Sequence, residues 1–259
     1  TGNPGSYGVG DYQRLVQALK TDPALAPMVS VITPALQLGG IAGNFEAGVS
    51  RTVLGNGVVA SEQDAMRTWN DYQLPFGIHK IGLTGTSPDS ATIGLGVARV
   101  LQLCKSLKVN DCPVASAGVI AVRAAGSAAE LPADVADLAQ SARADAPVIA
   151  GTRIELLASN PKGAPNVASL NVVEARSQGA KEIDDMFVGL HLQQAQALVY
   201  GRDEPKVTAV IVQLKHTNSM EAAKARIDEL LARDFKNQPL TVEKFTTLYP
   251  AYGQTVNMF

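Results

Sequence analysis

Apolar positions Tyr12, Leu15, Val16 and Leu19 recur at helical spacing and predict a helix over residues 11–21, stopped by Asp22-Pro23. Val29 and Val31 then alternate with polar neighbours, which predicts an extended run over residues 28–38. Gly39-Gly40 and Gly43-Asn44 read as turns. They lead into a second extended segment, residues 45–54, closed by Gly55-Asn56-Gly57. A short helix is expected around residues 62–72. Ser87-Pro88-Asp89 marks the start of a helix running to about residue 107, although Gly94 and Gly96 lower its propensity. Residues 109–147 are rich in Ala, Asp and Pro without strong periodicity, and predict loop with a short helix over 133–142. Strands over 148–157 and 167–174 flank the turn signal Asn160-Pro161-Lys162-Gly163 and predict a hairpin.

The last third is the most regular. Residues 186–190 read as a short strand and residues 192–200 as a helix ended by Gly201. Residues 207–214 are apolar on both faces, the pattern of a strand covered on both sides. Asn218 to Glu221 resembles a capping box opening a helix whose stripe is Met220, Ala223, Ile227, Leu230 and Leu231. Glu229 and Arg233 are placed as an i,i+4 pair on its wet face. With an extended stretch near residues 240–242 this makes a β-α-β unit, and the class is mixed α and β.

The chain has 259 residues, of which 46% are hydrophobic and 18% charged, so it can bury a sizeable core. Its 22 Lys+Arg against 24 Asp+Glu give a net charge of −2, which argues against a broad nucleic-acid surface. The uncharged stretch 29–45 is interrupted by Thr33, Pro34, Gln37 and Asn44 and does not predict a membrane span. The chain opens on Thr1, which reads as processing or excision from a longer protein.

Candidate chemistry is sparse. There is neither a G-x-S-x-G elbow nor a phosphate-binding P-loop. Gly94-Leu-Gly96-Val-Ala-Arg99 superficially resembles a dinucleotide turn. It lacks the third glycine and has no apolar strand leading into it, so close helix packing explains it better. His79, His191 and His216 are scattered, with no carboxylate at ligand spacing. Asp184-Asp185 are paired carboxylates, but neighbours in an extended segment diverge, and a turn with an Asp bonding backbone donors is preferred. Trp69, the single Trp, reads equally as a groove residue or a core edge. Cys104 and Cys112 are open to two readings: a disulfide, whose loop closure would contribute roughly 2.6 kcal/mol, or two reduced thiols, Cys104 continuing the stripe Ile93, Val97, Val100, Leu101. These residues propose no catalytic site, metal site or cofactor.

The carboxy-terminal third carries a resemblance. Asp184-Asp185, Phe187-Val188, the run Leu192-Gln-Gln-Ala195-Gln196-Ala-Leu198, the strand over 207–214 and the helix over 219–233 follow one another in a characteristic order. This order is similar to that in the extracytoplasmic domain of MacB/FtsX/LolC-type ABC transporter permeases. Val31-Ile-Thr-Pro34 through Gly43, Gly48 to Val58, the stretch from Ile93 to Leu103, and the closing stretches 242–250 and 254–259 agree in order and spacing. Two departures stand out: an Ala-rich insertion over about 105–147, and Phe245 where the family usually has Trp.

The resemblance implies an α+β fold. A porter-like β-α-β domain is formed by residues 1–75 and 187–259, with a smaller α/β domain, residues 76–186, inserted into it. It implies a position between the first two membrane helices of a permease in the inner membrane, with this domain in the periplasm. In that oxidising compartment Cys104 and Cys112 are expected to pair. The implied work is mechanical and not enzymatic. ATP hydrolysis falls to a separate cytoplasmic domain or subunit, the full-length protein forms a self-dimer, and the outer partner is a periplasmic adaptor or a lipoprotein carrier. No nucleic acid and no cofactor are implied. A periplasmic small-molecule-binding module is the first alternative and a hydrolase assembled from distant residues the second.

Overall fold

The computed structural model of the chain describes residues 8–71, 73, 79–110 and 152–248. In chain order the elements are α1 (Tyr12–Thr21), β1 (Val29–Asn44), β2 (Val49–Val58), α2 (Ala60–Arg67), β3 (Ser90–Gly94), α3 (Leu95–Val100), β4 (Arg153–Ser159), β5 (Pro165–Arg176), α4 (Lys181–Asp184), β6 (Phe187–His191), α5 (Leu192–Tyr200), β7 (Ala209–Leu214), α6 (Met220–Asp234) and α7 (Phe245–Leu248). The fold is α+β. The short helix expected over 133–142 and the insertion around it fall almost wholly outside the described residues.

All seven strands belong to one sheet of order β2-β6-β3-β5-β4-β1-β7, and β2 also pairs with β1. That extra pairing closes six strands into a ring and leaves β7 as an added edge on β1. Closure removes the free edges that an open sheet would present. The ring has an internal two-fold pattern. Two antiparallel hairpins, β1/β2 and β4/β5, join through their first strands. The second strand of each takes a parallel partner from the other half, β2 with β6 and β5 with β3. β3 and β6 then pair antiparallel. Exchanging β1 with β4, β2 with β5, β3 with β6 and α3 with α5 reproduces the same connections.

Side-chain bonds repeat the pattern. Asn44 Nδ2 donates to the Leu101 carbonyl just beyond α3 (2.8 Å), and Asn166 Nδ2 donates to the Leu198 carbonyl in α5 (2.9 Å). Each satisfies a carbonyl near a helix end that would otherwise lack a partner.

Several expectations need correction. Gly39-Gly40 and Gly43 do not make turns, because β1 runs through them for 16 residues. A Cβ on Gly40 would stand 2.5 Å from the Leu157 carbonyl oxygen, so glycine there admits the close approach of β4. The turn falls instead at residues 45–48, and β2 continues through Gly55-Asn56-Gly57. The helix expected from Ser87 is a wholly buried strand, β3, followed by the six-residue α3, since pairing with β5 and β6 overrides local preference. β7 has one neighbour, and of its residues only Leu214 is buried, so it is not covered on both faces. Residues 240–242 form no strand, although Leu240 and Val242 pack against the core. Ser219 makes no side-chain cap bond, and Glu221 pairs with Lys244 instead. Glu229 pairs with Arg226 (3.0 Å) and Arg233 with Asp234 (2.8 Å), not with each other. The helix α1, the hairpin β4/β5, the strand β6 and the helix α5 occur where the pattern placed them.

Two cores result. The larger fills the ring and the undersides of α3 and α5 with residues such as Leu36, Ile93, Val97, Ile154, Leu170 and Leu190. Each large aliphatic side chain buried this way contributes about 1.5–3 kcal/mol. The smaller core joins α1 (Leu15, Leu19), the first half of β1 (Ile32), the end of β7 (Leu214) and α6 (Ala223, Ile227, Leu230) to Phe235. Residues 187–200, grouped with the chain ends in the division expected from sequence, contribute Val188, Leu190, Leu192 and Leu198 to the larger core. Asp22 and Arg226 tie α1 to α6 at 2.7 Å, and the Arg14 guanidinium stacks 5.1 Å from the Phe235 ring centre. The Arg226 bonds are the chief cause holding the Asp22 carboxyl below its ordinary range.

Candidate functional site

The two-fold pattern produces two equivalent strand-to-helix junctions with different fates. In the first, β3 runs directly into α3 at Gly94, and the stretch before β6 lies across it. Neither Gly94 nor Gly96 has room for a side chain. A Cβ on Gly94 would stand 2.8 Å from the Asp184 Cα, and one on Gly96 2.7 Å from the Asp185 Cα. Arg51 Nε donates to the Asp185 carbonyl (3.0 Å), and its guanidinium lies 3.8 Å from the Asp185 carboxylate. Asp184 accepts from the Ser177 hydroxyl (3.0 Å) and from the Gln178 N–H. The acidic pair is therefore a turn fastened to local donors, as its sequence suggested. The view that no strand leads into Gly94 is corrected, since β3 does. The space a bound dinucleotide phosphate would need is filled by Asp184-Asp185, so the packing explanation of these glycines stands.

In the second junction β6 runs directly into α5 at His191. The positions matching Gly94 and Gly96 carry His191 and Gln193, which have side chains where the first junction has none. The Thr86 hydroxyl meets His191 Nε2 at 3.0 Å. Burial pushes the His191 pKa down, and the charge of Asp89 acts in the opposite direction.

A cleft of about 600 Å³ remains, walled by α1, the end of β2, the first turn of α2, residues 84–88 and the first turn of α5. Its apolar surface includes Val16, Pro34, Val58 and Leu192, and its polar groups include Glu62, Thr86, His191 and Gln193. Glu62 is divided between two environments. Its Oε1 accepts from Lys20 Nζ (3.0 Å), while its Oε2 is buried with no hydrogen-bond partner. Gln196 is buried and donates to the Lys206 carbonyl (3.2 Å). Sequence reasoning noticed His191 only as a lone histidine and passed over Glu62. The repeated strand-helix order was the signal available, and it becomes visible only once the swapped pairing is known.

The other singled-out residues lie elsewhere. His216 Nδ1 meets Asp71 Oδ1 at 2.7 Å, and this bond is the first cause holding Asp71 below its ordinary pKa. His79 is exposed, its carbonyl accepting from Arg67 (3.3 Å). Trp69 Nε1 donates to the Lys215 carbonyl (3.0 Å). Cys104 sits in the turn beyond α3, where its carbonyl accepts from the Val109 N–H (2.9 Å). Its expected partner, Cys112, lies outside the described residues. Among the described residues no group of three or more His, Cys, Asp or Glu is arranged to hold a metal ion. Among them, no helix is long and apolar enough to cross a membrane.

No protein-family profile and no curated protein matches the sequence. Among solved structures the chain is similar to the extracellular domain of the noncanonic ABC-type transporter YknZ from Gram-positive bacteria. The identity is 12% and the TM-score 0.45, over 90% of this chain and 87% of that one.

Proposed function

We propose that this chain is the extracytoplasmic domain of an ABC transporter permease, porter-like in the part nearest its ends and mechanical in its work. ATP bound and hydrolysed in the cytosol shifts membrane helices, and this domain carries the shift outward to an adaptor or a lipoprotein carrier. No catalytic step is assigned to it. The self-dimer, the periplasmic setting and the Cys104–Cys112 disulfide belong to the same proposal. The motif order carried by residues 180–233 suggests the family.

The observation that carries the mechanical reading is the smaller core. Elements from both chain ends, α1 and α6, share it and are tied by Asp22–Arg226 and Arg14–Phe235. A body gripped at both ends through one packed core moves as a unit when its anchors move. Sequencing the complete reading frame tests the proposal. One apolar span before Thr1 and three after Phe259 are expected. A cleavable leader with no further span would overturn it.

A further inference from the structure

We propose that the pocket between the start of α1 and the end of α6 binds a phosphate group, either free in solution or carried by a lipid headgroup. The pocket holds about 420 Å³ and is lined by Arg14, Arg233, Asp234 and residues 235–238. Its one carboxylate is already matched. Arg233 grips Asp234 through Nε (2.9 Å) and Nη2 (2.8 Å), and these bonds are the chief cause holding the Asp234 carboxyl below its ordinary range. Arg14 and Lys236 remain. Arg14 meets Asp11 only at 3.7 Å, with both side chains more than half exposed, a pairing that contributes little in water. Lys236 forms no ion pair among the described residues.

The other cations on these two helices are each paired. Lys20 meets Glu62, Lys224 meets Asp228, and Arg226 meets Asp22 and Glu229. The unmatched positive charge of α1, α6 and their junction therefore lies at this pocket, in a chain whose net charge is −2. The negative end of the α6 dipole accounts for Arg233 and Lys236, but not for Arg14 on another helix. The Arg14 guanidinium stacks 5.1 Å from the Phe235 ring centre. Stacking occupies the face of the guanidinium and leaves its N–H groups, which lie in its plane, free to donate. One of them reaches the Asp234 carbonyl at 3.5 Å, the outer limit of a hydrogen bond. The charge excludes a cation as ligand. A tetrahedral oxyanion suits the groups that remain, because the Arg14 fork matches two oxygens and the Lys236 ammonium and Asn237 amide supply further donors. This inference does not depend on the transport reading.

Amide NMR of the isotope-labelled chain tests it, with sodium phosphate titrated at constant ionic strength and chloride and acetate as controls. Phosphate should shift the amides of residues 235–238 saturably. Arg14→Gln should weaken that response about ten-fold, the loss of a charge-assisted contact. Arg14→Lys should restore only part of it, because an ammonium lacks the fork. Lys236→Gln should weaken it about three-fold, and it carries the test if the Arg14 variants lose their dispersed spectra. Lys162→Gln, whose native side chain pairs with Asp203, should leave the response unchanged. Flotation with vesicles of phosphatidylcholine, alone and mixed with phosphatidylglycerol, separates the two sources. Retention by the mixed vesicles that Arg14→Gln abolishes assigns the phosphate to a lipid. A response to free phosphate without retention assigns it to a soluble ligand. The proposal is overturned if phosphate gives no saturable response beyond that of chloride. It is equally overturned if acetate binds more tightly than phosphate, or if Lys162→Gln weakens the response as much as Arg14→Gln.

Discussion

The two strand-to-helix junctions have the same place in a repeated ββαβα pattern, yet one is sealed and the other open. At the sealed junction Gly94 and Gly96 let a neighbouring loop press its backbone onto the start of α3, and Arg51 fastens it. At the open one the equivalent stretch touches His191 through the Thr86 hydroxyl, and a cleft lined by Glu62, Thr86, His191 and Gln193 remains. The ring is common to both, and the junctions differ where glycines on one side face His191 and Gln193 on the other. The comparison shows that one strand pattern can close one junction by backbone contact and leave a cleft at the other.

The largest effect should come from closing space at the sealed junction. Gly96→Val drives a branched side chain into the Asp185 backbone, and thermal unfolding should show a loss of about 1–3 kcal/mol. Gly94→Ala should fall in the same range. Gly57→Ala, under the open junction, sharpens the comparison: a Cβ there would overlap that of Ala195. A similar loss places the openness above α5 and not beneath it. Next in size is Arg51→Ala, which removes the bond to the Asp185 carbonyl and should cost about 1 kcal/mol in denaturant unfolding. Its counterpart at the open end, Thr86→Val, should cost less than about 1 kcal/mol, because the His191 contact is only half-buried. Equal losses from these two variants would remove the distinction.

The smallest effects are in pH. His191 has a lowered pKa in the fold, so its neutral form is favoured there. Its contribution is complete above the unfolded value near 6.5 and is lost as pH falls through the lower folded value. Wild type should therefore lose slightly more stability than His191→Gln between pH 7.5 and 5.5. Asp22, in the smaller core, is also lowered. Its contribution is present above about pH 4 and lost as pH falls further toward the folded value. Arg226→Gln should flatten that acid limb without touching the histidine window.

Sequence patterning revealed those elements whose burial follows one simple period. The helix α1, the hairpin around Asn160-Gly163 and the β6–α5 pair have clear stripes or turn residues, and the structure has them. It misled where glycine had a packing role. Gly39-Gly40 and Gly55-Gly57 look like turns, but they sit inside strands that lie close to β4 and α5. β3 was hidden for another reason: Ser90–Gly94 is buried on both faces, so it shows no alternation and looks like the front of α3. The cleft was less legible still. Glu62 and His191 are 129 positions apart in sequence, and only the exchange of strands between the two halves brings α2 and α5 to one opening.

Under the proposed function the domain moves as one body when ATP acts on the membrane part. The direct measurement is a pair of spin-label distances in the complete protein in lipid, with and without ATP. Labels at Lys162→Cys and Glu229→Cys within one domain report its internal geometry, and Lys162→Cys alone reports the separation of two copies. The expected result is an internal distance that stays fixed while the inter-copy distance changes with ATP. An inter-copy distance indifferent to ATP, or an internal distance that shifts with it, would contradict the account.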